Sequence, residues 1–184
     1  MDDARLVRIS KYLSKHLRHQ PQSLGLTLEP GGWVSVETLL AASAAHGMPF
    51  TRDELDEVVA RNNKQRFSFD ASGERIRANQ GHSVEVDLQL EPRIPPEVLY
   101  HGTGATAVPA ILQQGLLKMR RHHVHLSPDV ATARTVGRRH GAPRVFAVLA
   151  GAMSRDGCTF YRAENGVWLV DAVSPRYLRL LENT

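Results

Sequence analysis

The sequence predicts an α+β protein built as two lobes, and three observations carry that prediction. Three helix-patterned segments precede a hairpin-patterned one. A proline-rich stretch, EPRIPP at residues 91–96, then punctuates the chain. After it, strand-like segments alternate with short helix-like ones. The 184 residues suffice for one large domain or two small lobes. Hydrophobic residues make up 42% and charged residues 23%, proportions of a packed globular chain that exclude disorder and low complexity.

Residues 4–19 place Leu6, Ile9, Leu13 and Leu17 three or four apart. That spacing predicts an amphipathic helix, stopped by Pro21. Gly31-Gly32 predicts a turn, residues 33–36 a short extended piece and residues 36–45 a helix ending near Gly47. Thr51 with Glu54 three residues on predicts a capping box for a helix over 52–62. RFSFD and ERIRANQ alternate polar and apolar residues around Ala71-Ser72-Gly73, the pattern of a β-hairpin. Three helices followed by a hairpin is the order of a winged helix-turn-helix module. Such modules bind either nucleic acid or protein; Lys64, Arg66, Arg75 and Arg77, at the third helix end and the hairpin, lean toward a phosphate surface. The expected division is a lobe over residues 1–92, a stiff linker at 93–96 and a second lobe over 97–184. In that lobe EVLYHGT, VHLS, RVFAVLA, TFYRA and GVWLV read as strands. Helices are expected near 105–114 and 128–139.

Composition excludes several classes. The longest strongly apolar stretch, residues 145–153, is far short of the roughly 20 residues a membrane helix needs. The start, MDDARLVRIS, has no apolar run of a secretory signal. One cysteine, Cys158, excludes a disulfide framework and a cysteine-rich zinc site. A cytoplasmic protein with no membrane contact is expected, and a monomer. Residues 1–94 hold 12 Lys+Arg against 13 Asp+Glu, whereas residues 95–184 hold 11 against 6. Arginines number 19 and lysines 4. A guanidinium binds phosphate as a planar fork, so a phosphate-rich partner fits, although a GC-rich genome produces the same ratio.

No dinucleotide-binding glycine fingerprint, P-loop or nucleophile elbow occurs. His122, His123 and His125 sit beside Arg120-Arg121, a poor setting for a metal, and no metal site is expected. Arg18-His19 closes the first helix; a solvated cationic end favoured by the helix dipole explains it as well as a site does. LYHGT delivers His101 into an expected Gly102-Thr103 turn, whose backbone amides would suit a phosphate, or which a core histidine would simply cap. VHLS, VGRRHG and NGVWLV are undecided singly.

Together and in order, LSKHLRH (13–19), GGWVSVETLL (31–40), IRANQGHS (76–83), LYHGT (99–103), HHVHLS (122–127), VGRRHG (136–141) and NGVWLV (165–170) resemble the RNA 2′-phosphotransferase family, which removes the 2′-phosphate left at a tRNA splice junction. The resemblance runs from about residue 5 to 180. It implies a winged-helix RNA-binding lobe joined to a lobe of the ADP-ribosyltransferase fold. It places the family's Arg-His-Arg-Arg catalytic set on Arg18, His19, Arg77 and Arg139. Arg77 rather than Arg75 matches because it stands three residues before Gln80-Gly81, and Arg139 because it directly precedes His140-Gly141. The NAD-binding motifs fall on His101, Gly102 and Thr103, on His125 and Ser127, and on Asn165, Gly166 and Val167. Many mono-ADP-ribosyltransferases carry a catalytic glutamate where Val167 stands, and that departure fits the phosphotransferase branch.

The implied substrates are RNA with an internal 2′-phosphate and NAD, which is consumed; no metal is implied. The 2′-phosphate attacks C1″ of the nicotinamide ribose, nicotinamide leaves, and an RNA-2′-phospho-ADP-ribose intermediate forms. O2″ then attacks phosphorus, which releases 2′-OH RNA and ADP-ribose 1″,2″-cyclic phosphate. The implied phosphate site is a cleft between the two lobes. An ADP-ribosyltransferase acting on terminal phosphates of RNA or DNA would stop after the first step. A winged-helix binder without enzymatic activity would not bind NAD.

Overall fold

Leu6, Ile9, Leu13 and Leu17 do make one helical face. The computed structural model describes residues 1–182 and places them on α1 (Asp3–Arg18), with Ile9, Leu13 and Leu17 fully buried. Asp2 caps the helix by accepting from Arg5 N. A short strand, β1 (Val34–Ser35), leads into α2 (Val36–Ala45). The Thr51–Glu54 capping box forms on both sides and starts α3 (Arg52–Ala60). The expected hairpin is β2 (Phe67–Phe69) and β3 (Arg75–Ala78). β1 joins it opposite Ile76, giving a three-stranded antiparallel sheet in the order β1-β3-β2. Ile76, Phe67 and Val34 close the core against α1, Leu39 of α2 and Leu55 of α3.

The chain divides into two units, Met1–Gln89 and Leu90–Thr184. The expected stiff linker begins inside a strand: β4 (Pro92–Arg93) pairs with Phe160 and Tyr161. Proline is tolerated there because β4 is an edge strand.

The second unit is mainly antiparallel sheet with short helices. β5 (Leu99–Gly104) is followed by a 3-10 turn at Ala105–Ala107, α4 (Val108–Gln114) and β6 (Leu116–Leu117). Next come β7 (Val124–Leu126) and α5 (Val130–Gly137), which runs into a 3-10 turn at Arg138–His140. β8 (Pro143–Val148), α6 (Ala150–Arg155), β9 (Phe160–Arg162) and β10 (Trp168–Val170) follow. β11 (Ala172–Val173) and β12 (Leu178–Leu180) are the last strands among the described residues. The sheets run β4-β9-β10-β7, β12-β8-β5 and β11-β6. Tyr100 and Ser127 exchange both backbone hydrogen bonds, at 2.9 and 2.7 Å, and so tie the first of these sheets to the second. Phe146, Phe160, Leu126, Leu99 and Met153 fill the core. Among the described residues, no helix is long and apolar enough to cross a membrane.

One expectation is corrected. Gly102-Thr103 is no turn; both residues lie inside β5, paired with Val145 and Arg144 of β8. The glycine answers to packing. A Cβ on Gly102 would stand 1.6 Å from the carbonyl oxygen of Ala133, so α5 lies directly on the strand there.

Candidate active site

In the first unit the site grows from the end of α1. A helix end leaves carbonyls without intrahelical partners. Here the Arg18 carbonyl accepts from Ser83 N at 2.9 Å and from Val84 N at 3.4 Å. The same segment holds the next side chain, since His19 Nδ1 lies 2.9 Å from Ser83 Oγ. Gly81 makes this approach feasible: its φ is +87°, a conformation that favours glycine, and the Arg18 side chain passes 3.7 Å from where a Cβ would stand. The Arg18 guanidinium also lies over Phe67, 6.0 Å from the ring centroid. Residues 79–82 are buried. Asn79 donates to the Gln65 carbonyl at 2.7 Å.

Arg75 and Arg77 share one face of β3, as period two demands, and both lie over Trp33, at 5.6 and 4.5 Å. Their partners differ. Arg75 is exposed and hydrogen-bonds Asp70 at 2.8 Å, with Glu29 at 3.5 Å. That hydrogen bond holds the Asp70 carboxyl well below the usual carboxylate range. Arg77 is half-buried and donates to the Gly31 carbonyl at 3.3 Å. Within this unit, then, the structure brings Arg18 and His19 onto the chain segment that leaves the strand of Arg77.

In the second unit, the three expected NAD-binding motifs meet at the join between two sheets. His101 on β5 donates from Nδ1 to the His125 carbonyl on β7 at 3.0 Å. This fixes the tautomer with Nε2 as acceptor. Burial pushes the His101 pKa down. Ser127 closes the bridge to Tyr100. β7 pairs with β10 so that Trp168 faces Leu126, and continuing that register sets Val167 beside Ser127. Asn165 and Gly166 form the tip of the β9–β10 hairpin. Gly166 takes φ +82°, and Asn165 Oδ1 accepts from Val167 N at 3.2 Å. Arg121 Nη1 donates to His125 Nδ1 at 3.1 Å. Arg139 is exposed in the turn after α5, next to His140, whose carbonyl oxygen lies 2.1 Å from where a Cβ on Gly104 would stand. Arg139 thus sits beside the far end of the strand that carries His101. Among the described residues, no group of three or more His, Cys, Asp or Glu could hold a metal ion.

The chain's whole pattern has close relatives. A family model described as RNA 2′-phosphotransferase, Tpt1/KptA family, matches residues 4–172. The chain belongs to the RNA 2′-phosphotransferase family. A protein of Trichormus variabilis is 62% identical over 181 residues, 98% of this chain and 100% of its own length. One of Nostoc punctiforme is 62% identical over 179 residues, 97% of this chain and 99% of its own. One of Streptomyces griseus subsp. griseus is 58% identical over 187 residues, 98% and 99% of the two chains. All three carry the name "Probable RNA 2′-phosphotransferase".

Set against this family's motifs, sequence reasoning named no role for Trp33, His82 or Ser83. Trp33 is the platform under Arg77, and an aromatic straight after a Gly-Gly turn was the available signal. His82 is fully buried, with Nε2 3.4 Å from the Cβ position of Gly32. Ser83 sits in a quoted motif, and only the fold shows that it faces His19.

His101 supplies a pH test. Its ordinary pKa is 6.5 and burial lowers it in the fold. The unfolded chain therefore takes up this proton at a higher pH than the folded one. Stability from neutral His101 is fully present above pH 6.5 and declines as pH falls from there toward the folded value. His123 is pushed the same way by burial and adds to the slope. His101→Gln should melt with a shallower loss below that pH. Identical slopes for variant and wild type would exclude this role.

Proposed function

We propose that this protein is an NAD-dependent RNA 2′-phosphotransferase, with a winged-helix first unit that binds RNA and an ADP-ribosyltransferase-like second unit that binds NAD. Membership of the family over residues 4–172 supports the reaction class. The observation that carries the site assignment is the docking of Arg18 and His19 onto residues 83 and 84, just past the strand of Arg77.

The donor set of the second unit fits a dinucleotide. The neutral His101 imidazole offers an acceptor to a ribose hydroxyl, and Ser127, Thr103 and the Asn165-Gly166 tip add neutral hydroxyl and backbone groups suited to ribose and carboxamide. As co-substrate, NAD supplies an electrophilic ribose carbon, C1″, and nicotinamide as leaving group. Arg18, Arg77 and Arg139 hold the RNA 2′-phosphate for attack on that carbon. Arginine forks stabilise the charge of the phosphate oxygens without proton transfer. In the second step the ribose O2″ hydroxyl attacks phosphorus and releases its proton to solvent, the bond from phosphorus to the RNA 2′-oxygen breaks, and that oxygen takes up a proton. His19 donates it.

The test is incubation of a 2′-phosphorylated RNA with and without NAD, with both products identified. ADP-ribose 1″,2″-cyclic phosphate and 2′-OH RNA are expected only with NAD. A stable ADP-ribosylated RNA as end product would instead favour transfer that stops at the first step. His19 separates the steps. The first expels neutral nicotinamide and needs no proton on the leaving group, whereas the second expels an alkoxide. His19→Ala should therefore accumulate RNA-2′-phospho-ADP-ribose in single-turnover assays with end-labelled RNA. Equal slowing of both steps, with no accumulation, would leave His19 as a positioning group.

A further inference from the structure

The cations of the first unit are not distributed evenly with respect to carboxylates. Arg5 pairs with Glu54, Arg52 with Asp56, Arg61 with Asp3 and Glu57, and Arg75 with Asp70 and Glu29. Arg8, Lys11 and Lys15 of α1 are exposed and have no carboxylate partner among the described residues. These three recur at spacings of three and four, and the next step of three reaches Arg18. At about 100° per residue all four fall within roughly 80° of one helix face. Arg8, Lys11 and Lys15 also line one open groove of about 380 Å³, with Tyr12, Gly47 and Met48. Met48 is buried and Tyr12 half-buried, so the floor is apolar and aromatic beneath a cationic rim. His46 is exposed at the end of α2, near His16.

We propose that this face of α1 is a track for the backbone of the RNA flanking the 2′-phosphate, with Arg8, Lys11 and Lys15 each meeting a backbone phosphate. The track rests on the reading of RNA as substrate and deepens it. A basic groove with an aromatic floor is how single strands are held without sequence preference. From residue 8 to residue 18 the helix rises about 15 Å, the length of roughly four stacked nucleotides at 3.4 Å each. The hairpin face is the weaker candidate because Arg75 is already engaged by two carboxylates.

The test uses the full chain and a 5′-fluorescein single-stranded RNA of 12 nucleotides with one internal 2′-phosphate. Anisotropy titrations at several salt concentrations compare wild type with the R8Q/K11Q/K15Q variant. Three lost phosphate contacts on a single strand should make the slope of log K against log salt shallower by about 2, and should weaken binding roughly 10–100-fold near 0.1 M salt. R52Q/R61Q, which removes one charge at each end of α3, should change neither. Turnover of a 2′-phosphorylated dinucleotide, too short to lie along the helix, should be unchanged in the triple variant. Unchanged affinity and slope for the 12-mer would overturn the track, as would an equal effect of R52Q/R61Q or an equal loss on the dinucleotide. K11E alone, one exposed charge reversed, provides a second variant that must weaken 12-mer binding. Failure of wild type to convert either RNA with NAD would instead strike the enzymatic reading, and the anisotropy titrations decide the track without turnover.

Discussion

Replacing Arg18, Arg77 or Arg139 with alanine should lower the single-turnover rate on a 2′-phosphorylated RNA by about 10²–10³. Under the proposed mechanism each change removes a charge-assisted contact to the transferred phosphate, a loss worth roughly 3–4 kcal/mol when the contact acts in the transition state. Lysine should restore little, because a point charge does not replace a bidentate fork. Arg75→Ala should be mild, since that guanidinium is committed to Asp70 and Glu29 on an exposed strand face. Arg138→Ala should be mild as well. Near wild-type rates for all three primary variants would sink the phosphate assignment. A severe Arg75→Ala would move the site one pleat along β3.

Gly102→Ala should strongly destabilise the second unit. The new Cβ would stand 1.6 Å from the Ala133 oxygen and 2.5 Å from its carbon. Both are backbone atoms inside α5, so relief requires shifting the helix rather than turning a rotamer. Gly137 faces the same contact from the helix side, where a Cβ would stand 2.8 Å from the Thr103 oxygen. Overpacking a well-packed core costs about 1–3 kcal/mol, occasionally more, and backbone against backbone belongs at the upper end. At about 4–8 °C per kcal/mol for a domain of this size, the melting temperature should fall by roughly 10 °C or more. The chain has two tryptophans, Trp33 and Trp168. In a Trp33→Phe background, fluorescence therefore reads the second unit alone. A shift of a degree or two would show that α5 does not rest on Gly102.

The helices of the first unit were legible because their cores are periodic and their ends are marked. Leu6, Ile9, Leu13 and Leu17 span about three turns, and Thr51–Glu54 is a cap with its own sequence signature. The missed elements are short. β6, β11 and β12 hold two or three residues each, too few for alternation to register. α6, AGAMSR, has six residues and begins where an apolar strand pattern had not yet ended. The Gly102-Thr103 turn failed for a different reason. A glycine read alone suggests a bend, whereas this one exists for a neighbour about thirty residues away that no local pattern reveals. The site residues came from ordered motifs. What the motifs could not give was partnership: that Ser83 holds His19, that Trp33 lies under Arg77, or that Arg75 is neutralised and Arg8, Lys11 and Lys15 are not.

The bonds from Ser83 and Val84 to the Arg18 carbonyl also bear on time. Helix ends fray more readily than helix centres, and local openings of that kind cost less than global unfolding. Here the last turn of α1 cannot fray without releasing the chain that follows the hairpin, 65 residues further on. Two segments that would each open cheaply are thereby made to open as one. The lifetime of this geometry is then governed by that joint event, and Arg18, although it stands at a helix terminus, is released only together with residues 83 and 84.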